Sequence, residues 1–353
     1  MALQGDWTLE CLSERLARVD ELKRAAAQGF DASGIGRLDT AGAIILLDVI
    51  GGDGGIGKLH GLQPRHDELL RKVVAANARV PEEKHENAFL DLLARIGEST
   101  TTIWRNAVRL TAFAGQVLEA MARIVVTPRR WRPTALAAQI EQTGFTAVPI
   151  VSLLTFLVGC VVAFLGARVL RDFGATVYTV ELIGYAFLRE FGVLLTAILV
   201  AGRSGSAFTA ALGSMKSREE IDAIRTLGLS PIEVLVVPRV LALLISLPVL
   251  TFIGMMAGLV GGCVVCIWVL DVSPVMYITR IYEMVPVQHF WVGISKAPLF
   301  AFLIACIGCL EGFKVSGSAE SVGQHTTSSV VQSIFVVILI DAFAAIFFME
   351  IDV

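Results

Sequence analysis

A multi-span α-helical membrane protein is the fold class this sequence predicts: about five transmembrane helices plus an amino-terminal interfacial helix, with a small cytoplasmic α/β domain ahead of them. Three observations point there. Hydrophobic residues make up 55% of the 353-residue chain and charged ones only 17%, against about 45–50% and about 25% in soluble domains. Mean hydropathy is +0.71. The polar residues are also unevenly placed, because the first hundred positions mix both charge signs densely while long uncharged runs begin only after Ala147. The net charge of −3 excludes a basic nucleic-acid binder.

The amino terminus (MALQGDWTLE) lacks a basic segment followed by an apolar one, so the leading domain, residues 1–82, is expected to remain in the cytoplasm. Six cysteines do not suggest a disulfide scaffold. Residues 30–50 (FDASGIGRLDTAGAIILLDVI) read as a loop or short strand, a turn at Asp39-Thr40, and an apolar helix from about Ala41. Asp39 or Thr40 is the expected N-cap. A hydroxyl at an exposed helix start can hydrogen-bond a partner or accept phosphate; on the local pattern alone Thr40 simply caps its helix. A second helix is expected from about His66 to Ala78, completing a small α/β unit. Between them, Gly52 to Lys58 (GDGGIGK) satisfies G-x-x-x-x-G-K, but Leu59 stands where a magnesium-binding Ser or Thr belongs, and an apolar helix precedes it instead of a strand. A flexible glycine loop is the simpler reading. Residues 83–100 are expected to be a linker.

The membrane part opens with an amphipathic stretch, 101–145, that sets Trp104, Val108, Val117, Leu118 and Met121 among Arg105, Arg109 and Arg123 at roughly helical intervals. Such a helix lies in the membrane interface, or packs on protein as an ordinary linker helix. Five spans follow at about 147–167, 181–202, 240–270, 290–310 and 330–349, each near the ~20 residues that cross a hydrocarbon core. The first is uncharged throughout; the third is long enough to be tilted, or broken near Pro248. Twelve Lys and Arg fall in 104–132, 203–239 and 311–328, against three in 168–180 and 271–289. That asymmetry puts the amino terminus inside and the carboxyl terminus outside.

Charges within spans cost about 2.5–3.5 kcal/mol each at mid-helix, so they should face protein or a wet cavity. Arg189, Glu190, Lys296 and Asp341 are therefore the informative positions. Adjacent residues on an α-helix stand about 100° apart, so Arg189 and Glu190 should not share one narrow seam: one lines a path while the other pairs elsewhere. Lys296 could meet an anionic headgroup or snorkel to the surface. Asp341 most simply accepts hydrogen bonds from another helix. In GRSGSA, Gly202 and Gly205 permit close backbone approach, with Arg203 at the cytoplasmic edge of the second span.

On the inside, 214–230 (SMKSREEIDAIRTLGLS) is expected to form a short charged helix capped by Ser217, with Glu219 and Glu220 in its first turn, Asp222 and Arg225 along it, and Gly228 and Pro231 ending it. Charged side chains on a rigid helix give register against a partner groove; a solvated loop helix fits the local pattern equally well. Cys263/Cys266 and Cys306/Cys309 have C-x-x-C spacing but lie in apolar spans without polar partners, so they read as packing residues, and no metal site is expected. The five histidines show no ligand spacing, and no internal repeat is apparent.

The stretch LREFGVLLTAILVAGRSGSAFTAALGSMKSREEIDAIRTLGLSPIEVLVVPR, Leu188 to Arg239, resembles the MlaE/YrbE family of bacterial ABC-transporter permeases. ISK at Ile294 to Lys296, SAESVGQHTTSSVV at Ser318 to Val331, and Asp341 follow in family order, so the likeness covers about Thr101 to the end, residues 101–353. Separately, GIGRLDTAG resembles the loop and helix start of STAS domains, here fused to the permease. What the resemblance implies is a homodimeric permease in the bacterial inner membrane, its carboxyl terminus periplasmic. It implies two copies of a separate ABC ATPase subunit and a periplasmic MCE-domain partner, the assembly moving phospholipid between the inner and outer membranes. ATP and magnesium then belong to the partner, with no cofactor and no catalytic residue on this chain. Ser217, Glu219, Glu220, Asp222 and Arg225 become the coupling surface, Arg189, Glu190 and Lys296 the lipid path, and Asp39 and Thr40 an ATPase contact or phosphoacceptor. Two other readings compete: a secondary anion transporter regulated by a STAS domain, and a membrane-anchored scaffold signalling through Thr40. Five spans without inverted repeats argue against the first.

Overall fold

A computed structural model describes residues 2–11, 19, 22–23, 29–77, 88–127 and 132–351. The chain divides into two compact units, 1–98 and 99–353. In the first, strands β1 (Ala2–Trp7), β2 (Phe30–Leu38) and β3 (Leu59–His60) form a parallel sheet in that order. Alternation along the strands turns Leu3, Trp7, Phe30, Ala32 and Ile35 inward. They meet Ala43, Leu46, Val49 and Ile50 of α1 (Thr40–Ile50) and Leu70 of α2 (Pro64–Asn77). Asp39 is the N-cap and Thr40 the exposed first helical residue, so the helix begins one position earlier than expected and Thr40 does not cap it. Gly42 is needed for closeness: a Cβ there would lie 2.0 Å from the Trp7 carbonyl oxygen. The glycine run is a 3₁₀ stretch, Asp53–Lys58, directly after α1, which denies it the strand-before, helix-after context of a phosphate loop.

The expected linker is largely helix: α3 runs from Ala88 to Val126, and residues 83–87 lie outside the described ones. The single interfacial helix over 101–145 is replaced by α3 and α4 (Pro133–Thr143). Part of that stretch packs on protein. Trp104 and Val108 are exposed, whereas Phe113 and Val117 are buried in the core of the second unit and Ala120 and Ile124 pack on Val237.

Among the described residues, five helices are long and apolar enough to cross a membrane. After the turn at 145–147 come α5 (Val148–Asp172), α6 (Thr176–Ser217), the short α7 (Glu220–Thr226), α8 (Ile232–Leu270), α9 (Pro274–Met284), α10 (Gln288–Lys314) and α11 (Ala319–Glu350). The side on which α5 begins is called the near side below. The helix α8 is not broken at Pro248, which sits inside a continuous Val237–Leu270 segment. Val193, Ala197 and Val200 of α6, Leu243, Leu247 and Leu250 of α8, and Phe300, Ala301 and Ile304 of α10 make the core, with Val337 of α11 against them. Small residues bring α5 onto α8, since a Cβ at Gly159 would sit 2.2 Å from the Gly258 carbonyl oxygen.

Candidate functional site

The helix α6 is not uniform. Ala186–Phe191 forms a π turn in which the Gly192 N–H bonds the Phe187 carbonyl, five residues back. A wider turn narrows the angle between neighbours, and here it overturns the expectation that Arg189 and Glu190 diverge. Arg189 Nε is 3.7 Å from Glu190 Oε1, and Lys296 Nζ of α10 donates to Glu190 Oε2 at 2.6 Å and to Asp341 Oδ1 of α11 at 3.0 Å. Two cations and two carboxylates from three spans therefore compensate one another. Lys296 neither snorkels nor faces the surface, its side chain being 2% exposed. Arg189 Nη1 donates to His289 Nδ1 at 3.2 Å, and the His289 ring meets Tyr185 edge-on at 4.7 Å between centroids. Glu190 remains about one-quarter exposed, at 28%, so the node is reachable from its α6 side. Lys296 is eight residues into α10 and Asp341 nine residues before the end of α11, which puts the node about 12–14 Å inside the far ends of these helices at 1.5 Å per residue.

A second polar node closes the near side. Glu311, buried, accepts from Lys314 Nζ at 2.6 Å and from Gln332 Nε2 at 3.2 Å, and its other oxygen is 2.7 Å from His325 Nδ1. Lys216, at the end of α6, donates to the Phe313 carbonyl at 2.5 Å. The group ties α10 to α11 and to α6, next to α7. Sequence patterns single out none of Glu311, His325, Gln332 and His289. The available signal is an acid that ends an apolar span, followed by a histidine in the first turns of the next.

The helix α7 departs from its expected start. Ser217 is the last residue of the preceding helix and its Oγ donates back to the Gly213 carbonyl at 2.9 Å, so it caps nothing. Glu219 takes the N-cap position in the left-handed region, φ 61°, with no side-chain bond, because only Arg218 and Glu219 join two helices there. At the other end Gly228 is also left-handed, the Leu229 N–H bonding Ile224 and the Gly228 N–H bonding Arg225, a Schellman ending. Ile221 is buried and anchors the helix, leaving Glu219, Glu220, Asp222 and Arg225 exposed. Leu227 and Leu229 are exposed beside them. The pairs Arg225–Asp222, 3.0 Å, and Arg218–Glu220, 3.9 Å, are surface pairs worth about 0–1 kcal/mol, so these charges stay available to a partner.

Gly202 contradicts the close-approach expectation: a Cβ there meets nothing within 4 Å. Gly205 supports it through its backbone, since a Cβ on Gly308 of α10 would lie 2.8 Å from the Gly205 carbonyl oxygen. Arg203 is exposed. In the first unit Asp39 accepts from the Gly42 N–H and the Leu9 N–H, both at 2.8 Å, and these bonds hold its carboxyl below the usual carboxylate range. The cysteines are free, and no cluster of three or more metal-binding side chains occurs among the described residues.

Comparison with known proteins gives a consistent picture. The sequence profile of the family described as Permease MlaE matches residues 136–347. A "Probable ABC transporter permease protein" of Rickettsia bellii is 30% identical over 251 residues, 71% of this chain and 95% of its own length. A protein of the same description from Synechocystis is 32% identical over 58% of this chain and 78% of its own. The chloroplastic protein TRIGALACTOSYLDIACYLGLYCEROL 1 of Arabidopsis thaliana is 31% identical over 70% of this chain and 69% of its own.

Proposed function

The chain belongs to the MlaE permease family, and from that premise we propose that it is the membrane subunit of an ABC transporter moving phospholipid between the inner and outer membranes of a bacterium. The observation that carries the reading is α7: a helix pinned by one buried side chain, Ile221, presents four charged residues and two leucines on the near side. That is the surface a separate motor needs. Two copies of the chain, two ABC ATPase subunits holding ATP and magnesium, and a periplasmic MCE-domain protein complete the assembly, which sits in the inner membrane with the near side cytoplasmic. The family match favours this over the anion-transporter and scaffold readings.

Lipid as cargo draws support from the Arabidopsis relative, whose name is that of a galactolipid, and from the node around Lys296. A compensated group of charges can sit inside spans and still offer a polar headgroup new partners from the accessible Glu190 side. ATPase closure pushes the two α7 helices, changes the spacing between the α6 helices of the two copies, and closes a lipid cavity toward the periplasm. The β2–α1 segment fits a STAS-like domain whose Asp39/Thr40 corner faces the ATPase or accepts phosphate.

The test is co-purification. Combining Glu219→Gln, Glu220→Gln and Arg225→Gln should reduce the ATPase recovered with the chain several-fold, and mass spectrometry of the wild-type assembly should find phospholipid. Undiminished ATPase binding by the triple variant would refute the role of α7.

A further inference from the structure

Between α5, α6 and α11 lies a groove of about 400 Å³. Ile150 and Val151 of α5, Ile198 and Leu199 of α6, and Ile334 of α11 give it apolar walls, and Gly202 and Arg203 stand at one end. Two independent boundaries in the sequence locate that end. Ala147, which also lines the groove, lies near the start of the uncharged run 142–167, and Arg203 is the first charge after the uncharged run 191–202. Both mark the transition from hydrocarbon to headgroup on the near side, so the guanidinium stands at headgroup level while the walls continue into the depth of the acyl chains.

Arg203 differs from Arg189 and Arg280. Arg189 and Arg280 each have a carboxylate, Glu190 and Glu181, whereas no carboxylate lies within ion-pair distance of Arg203 among the described residues. Its π turn, Ala201–Gly205, needs nothing from the side chain, because the Ser206 hydroxyl serves the Gly202 and Arg203 carbonyls at 2.6 and 2.9 Å. An arginine can reach the interface merely by snorkelling, but that leaves the adjoining apolar groove unexplained. A second copy of the chain would occupy the groove without cost only if it brought a carboxylate to Arg203, the sole charge among the lining residues.

We infer that this groove holds an acyl chain of an anionic phospholipid drawn from the near-side leaflet, with the lipid phosphate on Arg203. It is a lipid site distinct from the Lys296 node. Resting on the permease reading, it is where lipid passes between that leaflet and the transport path. Guanidinium–phosphate pairing supplies charge-assisted hydrogen bonds of fixed geometry, and the groove supplies apolar burial that a free phosphate cannot use.

The full chain, with its co-purifying subunits, is reconstituted in nanodiscs containing either phosphatidylglycerol or phosphatidylcholine that carries a diazirine on one acyl chain, and labelled peptides are mapped. Label should fall on 147–151 and 198–202, with phosphatidylglycerol favoured about tenfold, equivalent to about 1.4 kcal/mol. Arg203→Gln should erase that preference and Arg203→Lys should retain most of it. Gly202→Leu, whose Cβ would meet no neighbour within 4 Å, should fill the mouth and reduce labelling by both lipids. Equal labelling by the two lipids, or a preference untouched by Arg203→Gln, overturns the inference. So does rapid disulfide formation between copies carrying Ile334→Cys, which would show the groove covered by a second chain. ATPase recovery is read on the same samples: failed labelling with intact recovery removes the groove site alone, while loss of recovery in the wild type removes the permease reading.

Discussion

Replacing Lys296 by methionine leaves the Glu190 and Asp341 carboxylates in a buried site without the ammonium that lies 2.6 and 3.0 Å from them. Breaking one partner of a buried charge group costs about 3–5 kcal/mol, whereas neutralising the whole group can be nearly neutral. Lys296→Met should therefore lower the thermal midpoint of the detergent-solubilised protein sharply. Adding Glu190→Gln and Asp341→Asn should restore most of it; a single variant as stable as wild type would mean the node does not hold the spans together. In the first unit, Asp39→Ala should reduce protection of the α1 amides against hydrogen exchange by about 1 kcal/mol at neutral pH. The carboxyl is held below its usual value, first by the Gly42 N–H and then by the Leu9 N–H. Its contribution is thus complete above about pH 3.9, the ordinary value, and is lost as pH falls through the lower folded one. Wild-type protection of α1 should drop in that acidic window, and the drop should be smaller in Asp39→Ala. These residues show how far a sequence can be read. The four intramembrane charges are legible because charge in an apolar run is costly wherever it points. Their mutual pairing is not legible, because it depends on a π turn that no local pattern announces.

Among the elements, α5 and α8 approach each other closely in backbone terms. A methyl group at Gly159 would meet the Gly258 carbonyl, and one at Gly261 would lie 2.1 Å from the Phe156 carbonyl oxygen. Backbone cannot turn aside as a side chain can, so Gly159→Ala should force the helices apart at a cost of about 1–3 kcal/mol. The measurement is a lowered thermal midpoint, with Gly202→Ala, which projects into open space, as the control that stays unchanged. The helix α7 is legible as an element, since Gly228 and the charged turn mark it. Its start is not, because Ser217 is drawn into the preceding helix and Glu219 takes a conformation that favours glycine.

At the scale of the whole molecule, five spans place α7 and α9 on opposite sides, and the excess of Lys and Arg in the near-side loops predicts that side to be the cytoplasmic one. A cysteine at Tyr282 of α9, which is 88% exposed, should react with an impermeant maleimide on intact spheroplasts. One at Arg225 of α7 should react only after permeabilisation; the reverse pattern would invert the topology. The spans, the division into a charged and an apolar half, and the positions of the costly charges follow from the sequence by itself, because transfer of charge and apolar surface between water and hydrocarbon is a property of each segment alone. Which charges meet, that Glu311 and His325 join the helices on the near side, and that Arg203 stands without an acid beside an apolar groove were decided by tertiary structure. Those outcomes depend on distances between residues as far apart as Glu190 and Asp341, set by how glycine-lined helices and π turns pack, and no segment carries them in isolation.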